Sequence, residues 1–141
     1  MRFWDSSALL SLLIDEPAHE MLLARLDEDP QLLVWWGTPV EMTAALARRE
    51  REGTVSQTDL VAAQSIVRLL SRAWHEILPS ELVRRTAERL LRMHPLRASD
   101  SLQLAAALVA SGHNASTLEF VCLDDRLNIA ARREGFAVIS E

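Results

Sequence analysis

Four carboxylates stand at places in this sequence where a strand is expected to end or a helix to begin. They are Asp5, Glu41, Asp100 and Asp124, and each lies in its own short motif. In a parallel sheet the carboxyl ends of the strands share one edge, so a fold of that kind would bring the four side chains together. Like charges in one cleft repel one another unless a cation neutralises them. Oxygen ligands with few nitrogen or sulfur partners favour Mg²⁺ or Mn²⁺.

The reaction that suits such a cluster is hydrolysis of a phosphodiester bond. Divalent ions about 3.5–4 Å apart can activate a water molecule and stabilise the leaving oxygen of an in-line displacement. The protein then has to place oxygen ligands and hold the substrate backbone, and it needs no nucleophile of its own. The four histidines lack the spacing of a zinc site. Ser6 and Ser7 lack a nearby histidine pattern, so we expect them to act first as helix caps and second as hydroxyl ligands.

Each carboxylate also has a purely structural explanation. The first could be a turn residue, and Glu41 stands three residues after Thr38, which is the spacing of a capping box. Asp100 lies in the first turn of its predicted helix, where the macrodipole favours any anion. Asp124 or its neighbour Asp125 could be an N-cap. Capping and metal binding are compatible, because a residue in the first turn is held rigidly enough to serve as a ligand.

Short apolar strands and amphipathic helices alternate along the sequence and must position these acids. Strands separated by helices require parallel pairing, so the sequence predicts an α/β sandwich. Three of the four glycines fall just past a predicted helix end. The predicted strands are 2–4, 32–36, 73–78 (at an edge), 119–123 and 136–139. The predicted helices run from Ser6 or Ser7 to Pro17, then over 18–27, from a cap at Thr38 to 52, and over 56–72, 80–93, 98–111 and 125–134.

The composition excludes several classes of protein. The 141 residues suit one domain and are 49% hydrophobic and 25% charged, with a formal charge of −5 that argues against a broad nucleic-acid platform. Local basic clusters remain possible. All fifteen basic residues are arginine. The absence of lysine excludes Schiff-base chemistry, P-loop phosphate binding, and the lysine-assisted chemistry of receiver domains and haloacid-dehalogenase-type phosphatases.

The cellular setting is also constrained by the sequence. A single cysteine, Cys122, excludes an internal disulfide framework and suits a reducing cytosol. A functional carboxylate at position 5 leaves no room for a signal peptide. No apolar run approaches the ~20 residues that would span a bilayer. We therefore expect a cytoplasmic protein that makes no membrane contact.

The sequence resembles the PIN-domain ribonucleases and, within them, the VapC-type toxins of bacterial toxin–antitoxin pairs, over about residues 1–139. Four acidic segments carry the resemblance, and they occur in the family's order. The family commonly has Thr or Ser two residues before the fourth acid, where this sequence has Cys122. The four segments are Asp5-Ser-Ser-Ala-Leu, Pro39-Val-Glu-Met-Thr-Ala-Ala-Leu, Asp100-Ser-Leu-Gln-Leu-Ala-Ala-Ala and the strand that Asp124 ends.

The resemblance implies a fold and a set of site residues. The fold would be a PIN-like three-layer sandwich, a single domain over residues 1–141 with a central parallel sheet of about five strands flanked by helices. Its catalytic residues would be the four acids, with Ser7 in support. Asp5, Asp100 and Asp124 would hold the Mg²⁺ or Mn²⁺ ion.

The resemblance also implies partners. They would be an RNA substrate, a cognate VapB-type antitoxin that blocks the acidic cleft, and a second copy of the chain in a homodimer. Arg48, Arg49 and Arg97 are candidate contacts for the RNA backbone, although solvated helix faces explain them equally well. In the adjacent pair Trp35-Trp36 the two side chains must point to opposite faces of a strand, so one of them could reach a subunit interface.

Two alternatives to a ribonuclease toxin stay open. A degenerate PIN module would bind RNA or protein without cleavage, but binding alone needs no anionic cluster, and phosphate would be repelled without a metal. An aspartate-nucleophile phosphatase would need a second Asp two residues after the first, where Ser7 stands. It would also need an assisting lysine, which the sequence lacks.

Overall fold

The computed structural model describes residues 1–14 and 16–141. Within them, successive strands are separated by one or two α-helices, as the sequence predicts. The strands are β1 (Arg2–Trp4), β2 (Leu32–Trp35), β3 (His75–Ile77), β4 (Glu119–Val121) and β5 (Ala137–Ile139). The helices are α1 (Ser6–Leu13), α2 (His19–Glu28), α3 (Thr38–Arg51), α4 (Gln57–Ser71), α5 (Glu81–Met93), α6 (Ala98–Ala110) and α7 (Asp125–Arg133).

The five strands form one sheet in the order β3-β2-β1-β4-β5. Every pairing is parallel, and Phe3 of the central strand pairs with Leu33 on one side and Phe120 on the other. The predicted α/β class and parallel sheet are therefore confirmed. The strand order reverses between β1 and β4, and in open parallel sheets ligands bind outside the carboxyl ends of the strands at such a point.

Helices cover both faces of the sheet and give the fold three layers. Phe3 packs on one face with the buried residues of α5, α6 and α7, whereas Trp4 packs on the other face with those of α1, α2 and α3. Neighbouring residues of a strand point to opposite faces, so strands covered on both sides must be apolar throughout. All four residues of β2 are buried, and Trp36, just beyond its end, is 52% exposed.

The starts of the helices differ in two places from the prediction. Asp5, and neither Ser6 nor Ser7, caps α1, because its carboxylate accepts the backbone N–H of Ser7. Thr38 is the first residue of α3 and makes no capping bond, since Gly37 occupies the N-cap position. The capping box, which was the structural explanation of Glu41, is therefore absent from α3, and the Glu41 carboxylate is free for other contacts.

The ends of the helices follow the prediction more closely. The three glycines expected just past helix ends have positive φ angles of 75°, 62° and 101° at Gly53, Gly112 and Gly135. The exception is α1, which ends before Pro17 because Ile14 is already extended, with φ −127° and ψ 142°. No helix in the described part of the chain is long and apolar enough to cross a bilayer.

Candidate active site

The four predicted acids lie around one cavity at the carboxyl edge of the sheet. Asp5 directly follows β1, and Asp124 follows β4 at the position that caps α7. Glu41 and Asp100 lie in the first turns of α3 and α6. All four line a cavity of about 300 Å³. The structure thus brings together side chains from four separate segments, whose catalytic roles stay predictions.

Asp5 is the most buried of these acids, with 3% of its surface exposed. Its Oδ2 accepts hydrogen bonds from the backbone N of Ser7 (3.0 Å), the Oγ of Ser7 (2.6 Å) and the Sγ of Cys122 (3.4 Å). Burial raises the pKa of the Asp5 carboxyl, and the nearby charge of Asp100 raises it further, against the opposing effect of those hydrogen bonds. The carboxylate is therefore held in one orientation in a place that disfavours its charge.

Ser7, predicted to support the site, joins two of the elements that build it. Its hydroxyl donates to Asp5 at the start of α1 and accepts from the backbone N of Leu123 (3.0 Å) after β4. A single hydroxyl can donate once and accept at its lone pairs, so both contacts are made at the same time. Ser7 thus fixes the spacing between the ends of the two strands that flank the cavity.

Cys122 stands between two of the acids. Its Sγ lies 3.4 Å from the Asp5 carboxylate and accepts the backbone N–H of Asp124 at 3.3 Å. Burial raises the pKa of the thiol, so it stays protonated and can donate to the carboxylate. Cys122, which stands where the family commonly has Thr or Ser, therefore contacts the fourth acid directly. The contact of Cys122 with Asp5 also links the segment after β4 to the end of β1.

Glu41 is positioned by Gln103, a residue that the sequence did not single out. The Nε2 of Gln103 donates to a carboxylate oxygen of Glu41 and, at 3.0 Å, to the hydroxyl of Thr38. Gln103 is 1% exposed and follows Asp100 by one helical turn, which places both on one face of α6. The sequence signal that could have identified Gln103 is its position three residues after Asp100, in a helix of mostly small apolar residues.

The two remaining pKa shifts show how strongly the acids interact. Burial, together with the charges of Asp5 and Asp100, raises the pKa of Glu41 to about 7, although Gln103 donates to it. Burial and the charge of Asp124 raise the pKa of Asp100, while the charges of Arg97 and Arg126 oppose that shift. The cavity is therefore a place where added positive charge is favourable.

The Gln103→Leu variant is expected to lower the activity of this site without unfolding the protein. It removes a hydrogen bond to a carboxylate, which is worth about 1.5–3 kcal/mol, so the rate of the reaction at this site should fall by roughly 10- to 150-fold. Because that hydrogen bond lowers the pKa of Glu41, the pH at which activity is half-maximal should rise. Gln64→Leu makes the same change on the exposed side of α4 and is the control. An unchanged pH profile in Gln103→Leu would refute the positioning role.

The donors in this cavity are of the type that Mg²⁺ and Mn²⁺ prefer. Asp5, Glu41, Asp100 and Asp124 provide carboxylate oxygens, and their mutual repulsion would be relieved by a cation. Across residues 1–14 and 16–141, no three His, Cys, Asp or Glu side chains are arranged so that they could already hold a metal ion directly. Mg²⁺ usually keeps several water ligands and needs only one or two carboxylates. The donor set fits the ion without forming a closed cage.

The predicted arginine contacts fall into two groups. Arg48 and Arg49 line the acidic cavity, and Arg49 is paired with Glu16 at 2.6 Å. Arg97 lies on the other side of Asp100, where it lines an adjoining cavity. Arg49 is therefore held by an internal partner, whereas Arg48 and Arg97 are exposed and make no ion pair with any described carboxylate.

Several solved structures with this fold come from toxin–antitoxin systems. VapC20 of Mycobacterium tuberculosis, a toxin that cleaves the sarcin–ricin loop, is 19% identical with a TM-score of 0.69, over 100% of both chains. A toxin–antitoxin complex from Klebsiella pneumoniae is 16% identical with a TM-score of 0.67, and FitAcB from Neisseria gonorrhoeae is 18% identical with the same score. Each of these two alignments covers 99% of this chain and 97% of the other.

These similarities identify the fold. No family sequence model matches this chain, and no curated protein matches it by sequence. The agreement in structure nevertheless extends over the whole chain, although so few residues are identical. The protein has the PIN-domain fold of the VapC- and FitB-type toxins, as the resemblance in sequence implied.

Proposed function

We propose that this protein is a metal-dependent endoribonuclease and the toxin of a toxin–antitoxin pair. The observation that carries the proposal is the convergence of Asp5, Glu41, Asp100 and Asp124 on one cavity at the switch point of the sheet. The fold supports it, because structures of the same fold include an RNA-cleaving toxin and complexes of toxins with their antitoxins.

In this proposal Asp5, Asp100 and Asp124 would hold Mg²⁺ or Mn²⁺ at the carboxyl ends of β1 and β4, in part through water ligands of the ion. When bound, such an ion would activate a water and stabilise the leaving oxygen of the phosphodiester. Burial and repulsion raise the pKa of Asp5 and Asp100, so both carboxylates gain from a neighbouring cation. Ser7 and Cys122 donate hydrogen bonds to the Asp5 carboxylate and hold it in place.

Glu41 is the residue best placed to accept the proton of the attacking water. A general base works best when its pKa lies near the working pH, and burial raises the pKa of Glu41 to about 7. Its carboxylate faces the same cavity as the other acids and is held there by Gln103. Thr38 shares that donor, so the orientation of Gln103 is fixed from two sides.

The proposed partners are an RNA substrate, a VapB-type antitoxin and a second copy of the chain. Solved relatives of this fold include complexes of both VapBC and FitAB type. Trp36 and Val40 are 52% and 69% exposed beside the start of α3, and an apolar surface of this kind favours a protein interface. The expected cytoplasmic location belongs to the same proposal.

Incubation of the purified protein with total RNA tests the proposed activity. With Mg²⁺ or Mn²⁺ added, we expect the wild-type protein to produce discrete RNA fragments. The Asp100→Asn variant, which lacks one of the ion-binding charges, should leave the RNA intact. Equal cleavage by the two proteins would show that the activity is a contaminant or that the site is wrongly assigned. Intact RNA with both would favour a module that binds without cutting.

A further inference from the structure

A second cavity, of about 390 Å³, adjoins the acidic one. The two cavities share Asp100, Leu123 and Asp124, so they form one continuous surface across the carboxyl ends of β1 and β4. The new part of that surface is lined by Arg97, which precedes α6, and Arg126, near the start of α7. A polymer ligand that extends from the acidic cavity into the second one would therefore contact the guanidinium groups of Arg97 and Arg126.

Neither of these two guanidinium groups forms an ion pair within the described parts of the chain. Both arginines are exposed. Other arginines near the sheet are paired, for example Arg49 with Glu16 and Arg89 with Glu134. Both arginines line the same cavity as Asp100, so both lie close enough to act on a ligand bound beside that acid.

The backbone N–H groups at the start of α6 are further hydrogen-bond donors for an anion. No side chain caps this helix at Arg97, whereas the carboxylate of Asp124 caps α7. The first backbone N–H groups of a helix have no intrahelical partner, and they attract anions when no side chain takes them. Arg48, which is also exposed, lines the acidic cavity itself. Positive charge therefore lies in both of the adjoining cavities.

We propose that Arg97 and Arg126 bind a backbone phosphate of single-stranded RNA next to the phosphodiester that is cut. This inference rests on the proposed function and adds the site that holds the substrate. The planar guanidinium matches the geometry of phosphate oxygens and can donate two parallel hydrogen bonds. Asp125 lines the same cavity together with Asp100 and Asp124. Three carboxylates oppose a free phosphate dianion, so the site favours the singly charged phosphodiester of a polymer.

The salt dependence of RNA binding tests this site. All proteins carry Asp5→Asn so that the oligonucleotide is not cut, and binding of a labelled single-stranded RNA is followed by fluorescence anisotropy between 50 and 300 mM salt with Mg²⁺ present. Arg97→Gln/Arg126→Gln is compared with Arg68→Gln/Arg72→Gln. The control pair removes the same charge from the exposed side of α4 and its C-terminal end. Oligo-U and oligo-A are both measured.

The expected result is a smaller slope of log K against log salt for Arg97→Gln/Arg126→Gln. Each phosphate contact to a single strand contributes about 0.7 to that slope. The magnitude should therefore fall by about 0.7 if the arginines share one phosphate, and by about 1.4 if each binds its own. The loss should be the same for both oligonucleotides, because phosphate carries no base identity.

Three results would overturn the proposal. They are an unchanged slope, an equal loss in the α4 control pair, and a loss confined to one of the two oligonucleotides. An unchanged slope would mean that the two arginines do not bind RNA, and it would favour an acidic protein as their partner. The measurement reads binding alone, so a wild-type protein that fails to cleave RNA would refute the proposed function and leave this result readable.

Discussion

The Asp5→Asn variant is expected to lose RNA cleavage by a factor on the order of 10³, the upper range for removing one electrostatic group from an active site. Asp5 is 3% exposed, and Asn has nearly the same shape. The amide oxygen can still accept from Ser7 and Cys122, so the local hydrogen bonds survive while the charge is removed. The loss should therefore reflect the missing carboxylate and not a disordered site.

Cleavage rates of the wild-type protein and Asp5→Asn, measured at saturating Mn²⁺, provide this comparison. Asp27→Asn makes the same chemical change at an exposed position of α2 and should keep the wild-type rate. Without metal, Asp5→Asn should be at least as stable to urea as the wild-type protein at neutral pH, because it removes a buried charge repelled by Asp100. A cleavage rate within a few-fold of wild type would exclude Asp5 from the reaction.

The stability of the metal-free protein is expected to fall as the pH rises from 5 to 8. The folded state raises the pKa of Glu41 from 4.5 to about 7, and burial raises the pKa of Asp5 and Asp100 as well. Between these two pKa values the folded state binds protons that the unfolded state has released. The contribution of each carboxyl to the free energy of unfolding is therefore complete below its pKa in the unfolded state, and it is lost as the pH rises through its pKa in the folded state. After allowance for the partial exposure of Glu41, its share is about 2 kcal/mol.

Mg²⁺ or Mn²⁺ should reverse that trend. An ion at one hundred times its dissociation constant adds about 2.7 kcal/mol to the free energy of unfolding, and it binds better to the ionised carboxylates at pH 8 than at pH 5. Urea denaturation with EDTA and with metal at both pH values measures the effect. Glu41→Gln should reduce the pH dependence of the metal-free protein. A gain from metal that is equal at pH 5 and pH 8 would contradict binding at these acids.

The strand and helix pattern could be predicted because the local signals agreed with the final packing. The apolar run at residues 32–36 suits a strand covered on both faces, and Gly53, Gly112 and Gly135 mark helix ends through their positive φ angles. The predicted caps at Ser6 or Ser7 and at Thr38 were wrong, because Asp5 and Gly37 occupy the N-cap positions of α1 and α3. Ser7 binds Asp5 and Leu123, and Thr38 accepts from Gln103.

The four acids and the supporting Ser7 could be selected from the sequence, but the long-range contacts that hold the acids could not. Cys122 and Asp5 are 117 residues apart, and Gln103 and Glu41 are 62 apart, so no local pattern records either contact. The topology of the sheet creates both of them at its carboxyl edge. Arg48 and Arg49 are adjacent in sequence, but only Arg49 forms an ion pair, with Glu16, among the described residues. The sequence did not predict this difference.

RNA cleavage before and after removal of metal tests the central claim most directly. The wild-type protein is treated with a chelator, dialysed, and incubated with RNA alone or with added Mn²⁺. We expect no cleavage without metal, full cleavage once Mn²⁺ is restored, and no restoration in Asp5→Asn under the same conditions. Cleavage by the chelated protein at the same sites and rate would contradict a metal-dependent reaction at the four carboxylates.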